Sequence, residues 1–152
     1  MIDVILHTLS WFKEKENYFP DLIMLLQPTS PLRNTKHIDE ALELFFKSDA
    51  DSLVSVVDVP HNYNPVSLMK EESGKLKPFL SGEGFRVLRR QDKPKVFARN
   101  GPAILIMRRK VLENTRTLYG ESIQPYVMGW PESIDIDSPY ELSLVQCILK
   151  GD

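Results

Sequence analysis

Apolar positions at the start of the chain repeat with the spacing of an amphipathic helix. The apolar residues recur at intervals of three or four positions, as expected for one helical face. They are Ile2, Ile5, Leu6, Leu9 and Phe12, of which only 5 and 6 are adjacent. No capping residue precedes this segment, and a helix at the very first residue suggests a chain cut from something longer. We therefore expect an opening helix and a chain that is truncated at its amino terminus.

Short apolar runs predict the strands. Leu22–Leu26 is an unbroken apolar run that follows the turn signal Pro20-Asp21. A short, fully apolar strand after a helix is typical of a parallel strand that is buried on both faces. The segment 53–59 is rich in β-branched residues and predicts a second strand. Further strands are predicted at 66–69, 76–79, 103–107, 126–128 and 134–136.

Helical segments alternate with these strands. We predict helices at about 35–47, with Thr35 as its cap, at 108–114, and at 139–149, with Ser138 as its cap. The alternation favours one α/β domain over 1–152, with three layers and a mainly parallel sheet. A hairpin around Glu72-Ser73-Gly74 and the basic segment after it interrupt the alternation. We therefore expect an inserted arm at about 61–100.

Charge is unevenly distributed along the chain. The formal net charge is only −2, so nothing in the overall charge indicates binding to nucleic acid, and no apolar run approaches the length of a membrane span. Nine basic residues and one acidic residue lie between Arg86 and Lys110. This block suits a small anionic ligand, although a solvated basic face explains it equally well. The single cysteine, Cys147, gives no disulfide framework, and we expect a cytoplasmic setting.

The first candidate site is the loop of sequence QPTSPLR at 27–33. It follows a predicted parallel strand, and open α/β sheets bind ligands at the carboxyl ends of their strands. Gln27, Thr29 and Ser30 offer directed hydrogen bonds. Arg33 either holds a ligand anion or braces the loop. An ordinary strand-to-helix turn is the alternative interpretation.

The second candidate lies in the basic block. Arg89, Arg90 and Gln91 can together hold a carboxylate and sugar hydroxyls, and Asn100-Gly101 follows shortly afterwards. A solvated loop is the alternative interpretation of this segment.

The third candidate is the run SIDID at 133–137. Positions two apart on a strand face the same way, so Asp135 and Asp137 would share one side while Ile134 and Ile136 pack inward. Two close carboxylates suit a hard divalent cation such as Mg²⁺. The alternative is that Asp137 helps to cap the last helix.

These three segments carry a resemblance to a known family. The run LLQPTSPLR at 25–33 closely resembles the signature of acylneuraminate cytidylyltransferases, and RQDKP at 90–94, Asn100-Gly101 and SIDID at 133–137 are also similar to family motifs. Pro102 departs from the alanine that family members usually have there. The resemblance starts in the middle of the family pattern, because the strand and the Gly, Ser, Arg and Lys loop that open full-length members do not precede Met1.

The resemblance implies a fold and an activity. The fold would be the Rossmann-like nucleotidyltransferase type, and the reaction would use CTP to convert a nine-carbon 2-keto acid sugar to its CMP-sugar with release of pyrophosphate. Asp135 and Asp137 would hold Mg²⁺ and act in catalysis with Arg90. Sugar and nucleotide contacts would come from Gln27, Thr29, Ser30, Arg33, Arg90, Gln91 and Asn100. A homodimer is expected. A non-catalytic sugar-binding or dimerisation remnant, and a nucleotidyltransferase for another acidic sugar, remain as alternatives.

Overall fold

The computed structural model describes residues 1–80 and 89–151. The chain divides into two compact units, of which the first comprises Met1–Val56 and Arg99–Asp152 and the second Val57–Ala98. Residues 81–88 of the predicted arm at about 61–100 lie outside the described residues. They include Arg86 of the basic block.

The helices follow the amphipathic segments of the sequence closely. They are α1 (Ile2–Glu16), α2 (Thr35–Phe46), α3 (Arg109–Thr115) and α4 (Pro139–Lys150). Asn34, not Thr35, caps α2, since its side chain accepts a hydrogen bond from the His37 N–H at 3.2 Å. The His37 Nδ1 atom in turn accepts from the Asn34 N–H at 3.2 Å. Both N–H groups at the start of α2 are thereby satisfied.

The strands are short. They are β1 (Leu22–Leu25), β2 (Ser52–Asp58), β3 (Met69–Glu72), β4 (Lys75–Pro78), β5 (Phe97–Arg99), β6 (Leu105–Arg108) and β7 (Ile123–Val127). The larger sheet has the order β1-β6-β2-β5, with β7 paired to β2. The predicted strand at 134–136 is not formed, and this segment has no regular secondary structure.

The predicted mainly parallel, Rossmann-like sheet is wrong. Strand β6 lies between β1 and β2 and is antiparallel to both, with Met24 opposite Ile106 and Leu53 also opposite Ile106. Strand β2 also pairs with β7, and these two strands are parallel. The prediction failed because a continuous apolar run indicates burial on both faces but not the direction of the neighbouring strand.

Side-chain alternation along the strands builds a core on each face of the sheet. Ile104 and Ile106 pack with Ala41 and Phe45 of α2 on one face. Leu105 and Met107 pack on the other face with a second cluster, which includes Ile5 of α1, Val54 and Val56 of β2 and Leu112 of α3. Successive residues of β6 therefore serve opposite faces, as the two-residue period of a strand requires. Helices cover both faces of the sheet. In the described residues, no helix is long and apolar enough to cross a membrane.

The second unit contains the predicted hairpin. Strands β3 and β4 pair antiparallel with Glu72 opposite Lys75, and Ser73 and Gly74 between them both have positive φ, 55° and 74°. Two positive φ values are what a tight hairpin turn of this hand requires. The carboxylate of Glu72 lies 2.8 Å from Lys70 and 2.7 Å from Lys77. These two ammonium groups lower the pKa of Glu72.

Candidate functional site

The loop at 27–33 is a hydrogen-bonded structure in its own right. The Ser30 N–H donates to the Gln27 carbonyl and the Arg33 N–H donates to the Ser30 carbonyl, each at 3.4 Å. The hydroxyl of Thr29 lies 3.4 Å from Oε1 of Gln27. Ser30 is fully buried. The loop therefore presents Gln27 and Thr29 at a partly exposed edge and turns Ser30 inward.

Arg33 braces this loop. Its Nη1 atom donates to the Gln27 carbonyl at 3.1 Å and to the Ala103 carbonyl at 2.7 Å. Ala103 directly precedes the apolar residues that continue into β6. The guanidinium therefore ties the start of the loop to a segment 70 residues later. These two hydrogen bonds are those expected of the bracing role, which is one of the two roles that the sequence left open for Arg33.

The hydroxyl of Ser30 and the carboxylate of Asp135 lie together. The distance from Ser30 Oγ to Asp135 Oδ1 is 3.5 Å. Gly101 completes the group: a Cβ placed on it would lie 3.2 Å from Ser30 Oγ and 3.6 Å from Asp135 Oδ2. Gly101 also has a φ of +121°, which side chains rarely adopt. The structure thus brings together one residue from each of three separate sequence segments, at 30, 101 and 135.

Asn100 supports this group from the core. Its amide Nδ2 donates to Ser133 Oγ at 2.9 Å, and its Oδ1 accepts from Ser55 Oγ at 2.6 Å. Ser55 in turn accepts from the Ile104 N–H at 2.8 Å. Asn100 is buried, and its amide is engaged within the protein on both sides. Its side chain fixes the backbone that leads into Gly101.

The segment around Asp135 is irregular, so the strand argument for its two carboxylates does not apply. The Ile136 N–H donates to the Thr29 carbonyl at 2.8 Å, which attaches the segment to the loop at 27–33. Asp137 is exposed. The cap of α4 is Ser138, whose side chain accepts from the Tyr140 N–H at 3.2 Å. Asp137 is thus not needed as the cap.

Arg90 and Gln91 belong to the second unit. They form a short 3₁₀ turn, Arg90–Asp92, and both are exposed. The other site residues predicted from the sequence all lie in the first unit: Gln27, Thr29, Ser30, Arg33, Asn100, Asp135 and Asp137.

The carboxylates of Asp135 and Asp137 fit a magnesium ion that takes its other ligands from water and phosphate. In residues 1–80 and 89–151, no group of three or more His, Cys, Asp or Glu side chains could hold a metal. Mg²⁺, however, keeps several waters and commonly takes one or two protein carboxylates together with substrate phosphates. Asp135 is half-buried and Asp137 is exposed, so each carboxylate could be offered to such an ion. The donor chemistry fits a metal that arrives with a phosphate ligand and does not fit a preformed protein cage.

Several known proteins resemble this chain along most of its length. A CMP-N,N'-diacetyllegionaminic acid synthase from Legionella pneumophila is 27% identical over 151 residues, or 99% of this chain and 62% of that protein. An N-acylneuraminate cytidylyltransferase from Streptococcus agalactiae is 27% identical over 136 residues, or 90% of this chain and 31% of that protein. The chain is a distant homologue of acylneuraminate cytidylyltransferases. The resemblance seen in the sequence motifs is confirmed.

The similarity extends over only part of each relative's length. A post-translational flagellin modification protein B from Campylobacter coli is 28% identical over 139 residues, or 89% of this chain and 57% of that protein. The chain thus spans about a third to three-fifths of the lengths of these relatives. No protein-family model matches the chain.

Sequence reasoning missed two residues that support the site. Ser55 and Ser133 hold Asn100 from its two sides. Ser55 carried a signal that could have found it, because it is the polar residue within the apolar run LVSVV at 53–57. A hydroxyl in the middle of a buried strand needs a partner, and that partner is Asn100.

Proposed function

We propose that the chain acts as a cytidylyltransferase that activates a nine-carbon 2-keto acid sugar with CTP. The observation that carries the proposal is the contact between Ser30 and Asp135. These residues belong to the two motifs that most resemble the family, and they are distant in sequence. The homology of the chain to N-acylneuraminate and legionaminate enzymes supports the same proposal.

The chemistry is nucleotidyl transfer. The anomeric hydroxyl of the sugar attacks the α-phosphorus of CTP, the bond from this phosphorus to the bridging oxygen breaks, and pyrophosphate leaves with the electron pair while the hydroxyl loses its proton. In this proposal Asp135 and Asp137 would hold Mg²⁺, which would supply positive charge to offset that of the phosphate oxygens. Positioning and charge neutralisation supply most of the rate in reactions of this kind.

Each remaining residue has a role in the proposal. Gln27 and Thr29 face the ligand from the partly exposed edge of the loop, and Ser30 contacts Asp135 from within. Arg90 and Gln91 orient the carboxylate and hydroxyls of the sugar, with Arg90 also neutralising charge in the reaction. Asn100 acts as a positioning residue, because its amide is already bonded to Ser55 and Ser133. The protein is proposed to work in the cytoplasm as a homodimer.

A substrate panel tests this function. The purified chain is incubated with CTP, Mg²⁺ and either N-acetylneuraminate or N,N'-diacetyllegionaminate, and pyrophosphate release is measured. The proposal expects release that depends on the sugar and is lost in Asp135→Asn. UTP in place of CTP serves as the nucleotide control. Binding of the sugar without binding of CTP, in a folded protein, would instead favour a non-catalytic sugar-binding protein.

A further inference from the structure

A pocket lies near the start of β1, whereas the candidate site loop follows the end of this strand. It has a volume of about 260 Å³ and is lined by residues of α1, of the segment that precedes β1, and of the α3 region. Pro20 borders this pocket, whereas Gln27 begins the candidate site loop. Strand β1 (Leu22–Leu25) lies between Pro20 and Gln27, and no residue of the candidate site lines the pocket. The two places are therefore separate, and the proposed function makes no use of this pocket.

Positive charge dominates the lining of the pocket. Lys13, Arg109 and Arg116 all border it, with Glu113 as its acidic lining residue. Glu113 is already engaged, since both of its oxygens accept from Arg109 Nη1 at 2.9 Å. In residues 1–80 and 89–151, Lys13 and Arg116 have no carboxylate within ion-pair distance. Two cations thus face the pocket without an acidic partner in that part of the chain.

Arg109 is held firmly at the pocket wall. Its Nε donates to the Pro20 carbonyl at 2.8 Å, and its side chain is only 21% exposed. Its backbone N–H donates to the Asp21 carbonyl at 2.9 Å. A guanidinium fixed by several acceptors loses little further freedom when it binds an anion, and planar Arg donors suit phosphate oxygens.

Arg116 occupies a backbone conformation that normally favours glycine. Its φ is 54°, and it ends α3 in the left-handed region, with its N–H bonded to the Leu112 carbonyl. A non-glycine residue in this region costs of order 1 kcal/mol, and such residues concentrate at functional sites. Glycine would be the simpler choice for a helix end.

We propose that this pocket binds a small phosphate-like anion. Three cations against one paired carboxylate select for a ligand with at least two negative charges. The volume lies below the range of about 300–1,000 Å³ that is typical of drug-sized ligands, so the ligand is a free phosphate anion or a small phosphate ester. Tyr18 and Phe19 supply an apolar wall that an ester could contact.

The test titrates the chain with inorganic phosphate and with pyrophosphate, at constant ionic strength and without divalent metal, while backbone amide signals are followed by NMR. We expect saturable shifts at residues 13–20 and 109–116. Phenyl phosphate forms the second arm. Tighter binding of phenyl phosphate assigns a phosphate ester as the ligand, and equal binding assigns the free anion, so both results support the site.

Within residues 1–80 and 89–151 the side chains of Lys13 and Arg116 donate no hydrogen bond, so two variants there remove charge without removing one. Arg116→Gly also relieves the left-handed backbone, so its Tm should hold or rise while anion affinity falls roughly tenfold, the loss expected for one charged hydrogen bond. Lys13→Gln should weaken binding similarly. Lys15→Gln, on the same helix but outside the pocket lining, is the matched control and should bind like the wild type. The proposal is overturned if the wild type shows no saturable shifts, or if all three variants bind alike.

Discussion

Ser30 and Asp135 are 105 residues apart in the chain, yet the Ser30 hydroxyl lies 3.5 Å from the Asp135 carboxylate. The contact is possible because Arg33 ties the loop at 27–33 to the Ala103 carbonyl and because the Ile136 N–H donates to the Thr29 carbonyl. The first of these bonds holds the loop to the segment around Ala103, and the second holds it to the acidic segment. A binding site that depends on the position of the loop should be sensitive to changes in either bond.

The substitution Gly101→Ala tests how closely Gly101 packs against Ser30 and Asp135. In Gly101→Ala the new Cβ would lie 3.1 Å from the Ala103 nitrogen and 3.2 Å from Ser30 Oγ, at a φ of +121°. We expect a loss of about 1–3 kcal/mol in the free energy of unfolding, together with weaker binding of CTP with Mg²⁺. Urea denaturation and calorimetric titration measure the two effects.

Gly74→Ala is the matched control for this substitution. Gly74 also has a positive φ, +74°, but a Cβ there would meet no atom within 4 Å. It should cost roughly 1 kcal/mol or less through backbone strain alone and leave ligand binding unchanged. Equal effects on ligand binding from the two variants would contradict the packing that we describe around Gly101.

The variant Arg33→Ala distinguishes between a structural role of this side chain in the loop and a role in ligand binding. Arg33→Ala leaves the Gln27 and Ala103 carbonyls without their donor, and we expect a loss of about 1–3 kcal/mol in the free energy of unfolding. The measurement is urea denaturation without any ligand. A variant with wild-type stability but reduced ligand affinity would show that Arg33 serves the ligand and not the loop.

Ser55 should matter for stability despite its small side chain. Ser55→Ala leaves the Ile104 N–H without its acceptor and Asn100 Oδ1 without its donor, both in the core. Each buried polar group that loses its partner costs about 1–3 kcal/mol. Thermal denaturation should therefore show a clear fall in Tm. Ser143→Ala, which removes an exposed hydroxyl on α4 that bonds the Pro139 carbonyl, should leave Tm nearly unchanged, and equal effects would argue against the buried network.

Asp51 gives the chain a pH dependence of defined sign. The backbone N–H groups of Ser122 and Glu121, at 3.1 and 2.9 Å, lower its pKa below the usual value of 3.8. A carboxylate with a lowered folded-state pKa stabilises the fold above its unfolded-state pKa, and this contribution is lost as the pH falls through the folded-state pKa. Asp51→Asn should therefore be less stable than the wild type at pH 7.

The difference in free energy of unfolding between the wild type and Asp51→Asn should shrink as the pH falls below about 3.8. The wild-type carboxylate takes up a proton in that range. Urea denaturation of both proteins at pH 7, 5 and 3 gives the comparison. A stability difference that stays constant across this range would contradict the assigned role of the Asp51 carboxylate.

The sequence predicted the elements better than their arrangement. Helical periodicity located α1, α2 and α4, and the turn at Ser73-Gly74 located the hairpin. These signals are local. The direction of β6 between β1 and β2 depends on contacts between segments more than 45 residues apart in the chain, and the apolar pattern of β6 is compatible with either direction.

In the candidate site, too, the sequence identified residues but not their tertiary contacts. The motifs identified Ser30, Asn100 and Asp135, and the structure groups these residues in one unit. What Asn100 and Arg33 do could not be derived from residue type, because an amide or a guanidinium serves a ligand and a buried backbone equally well. Their partners, Ser55, Ser133 and the Ala103 carbonyl, are set by tertiary structure.

Calorimetric titration of the purified chain with CTP in the presence of Mg²⁺ tests the central proposal most directly. We expect saturable binding in the micromolar range that is lost in Asp135→Asn. The matched control is Asp39→Asn, which changes an exposed aspartate on α2 and should bind like the wild type. Absence of CTP binding by a chain that is shown to be folded, or unchanged binding in Asp135→Asn, would contradict the account.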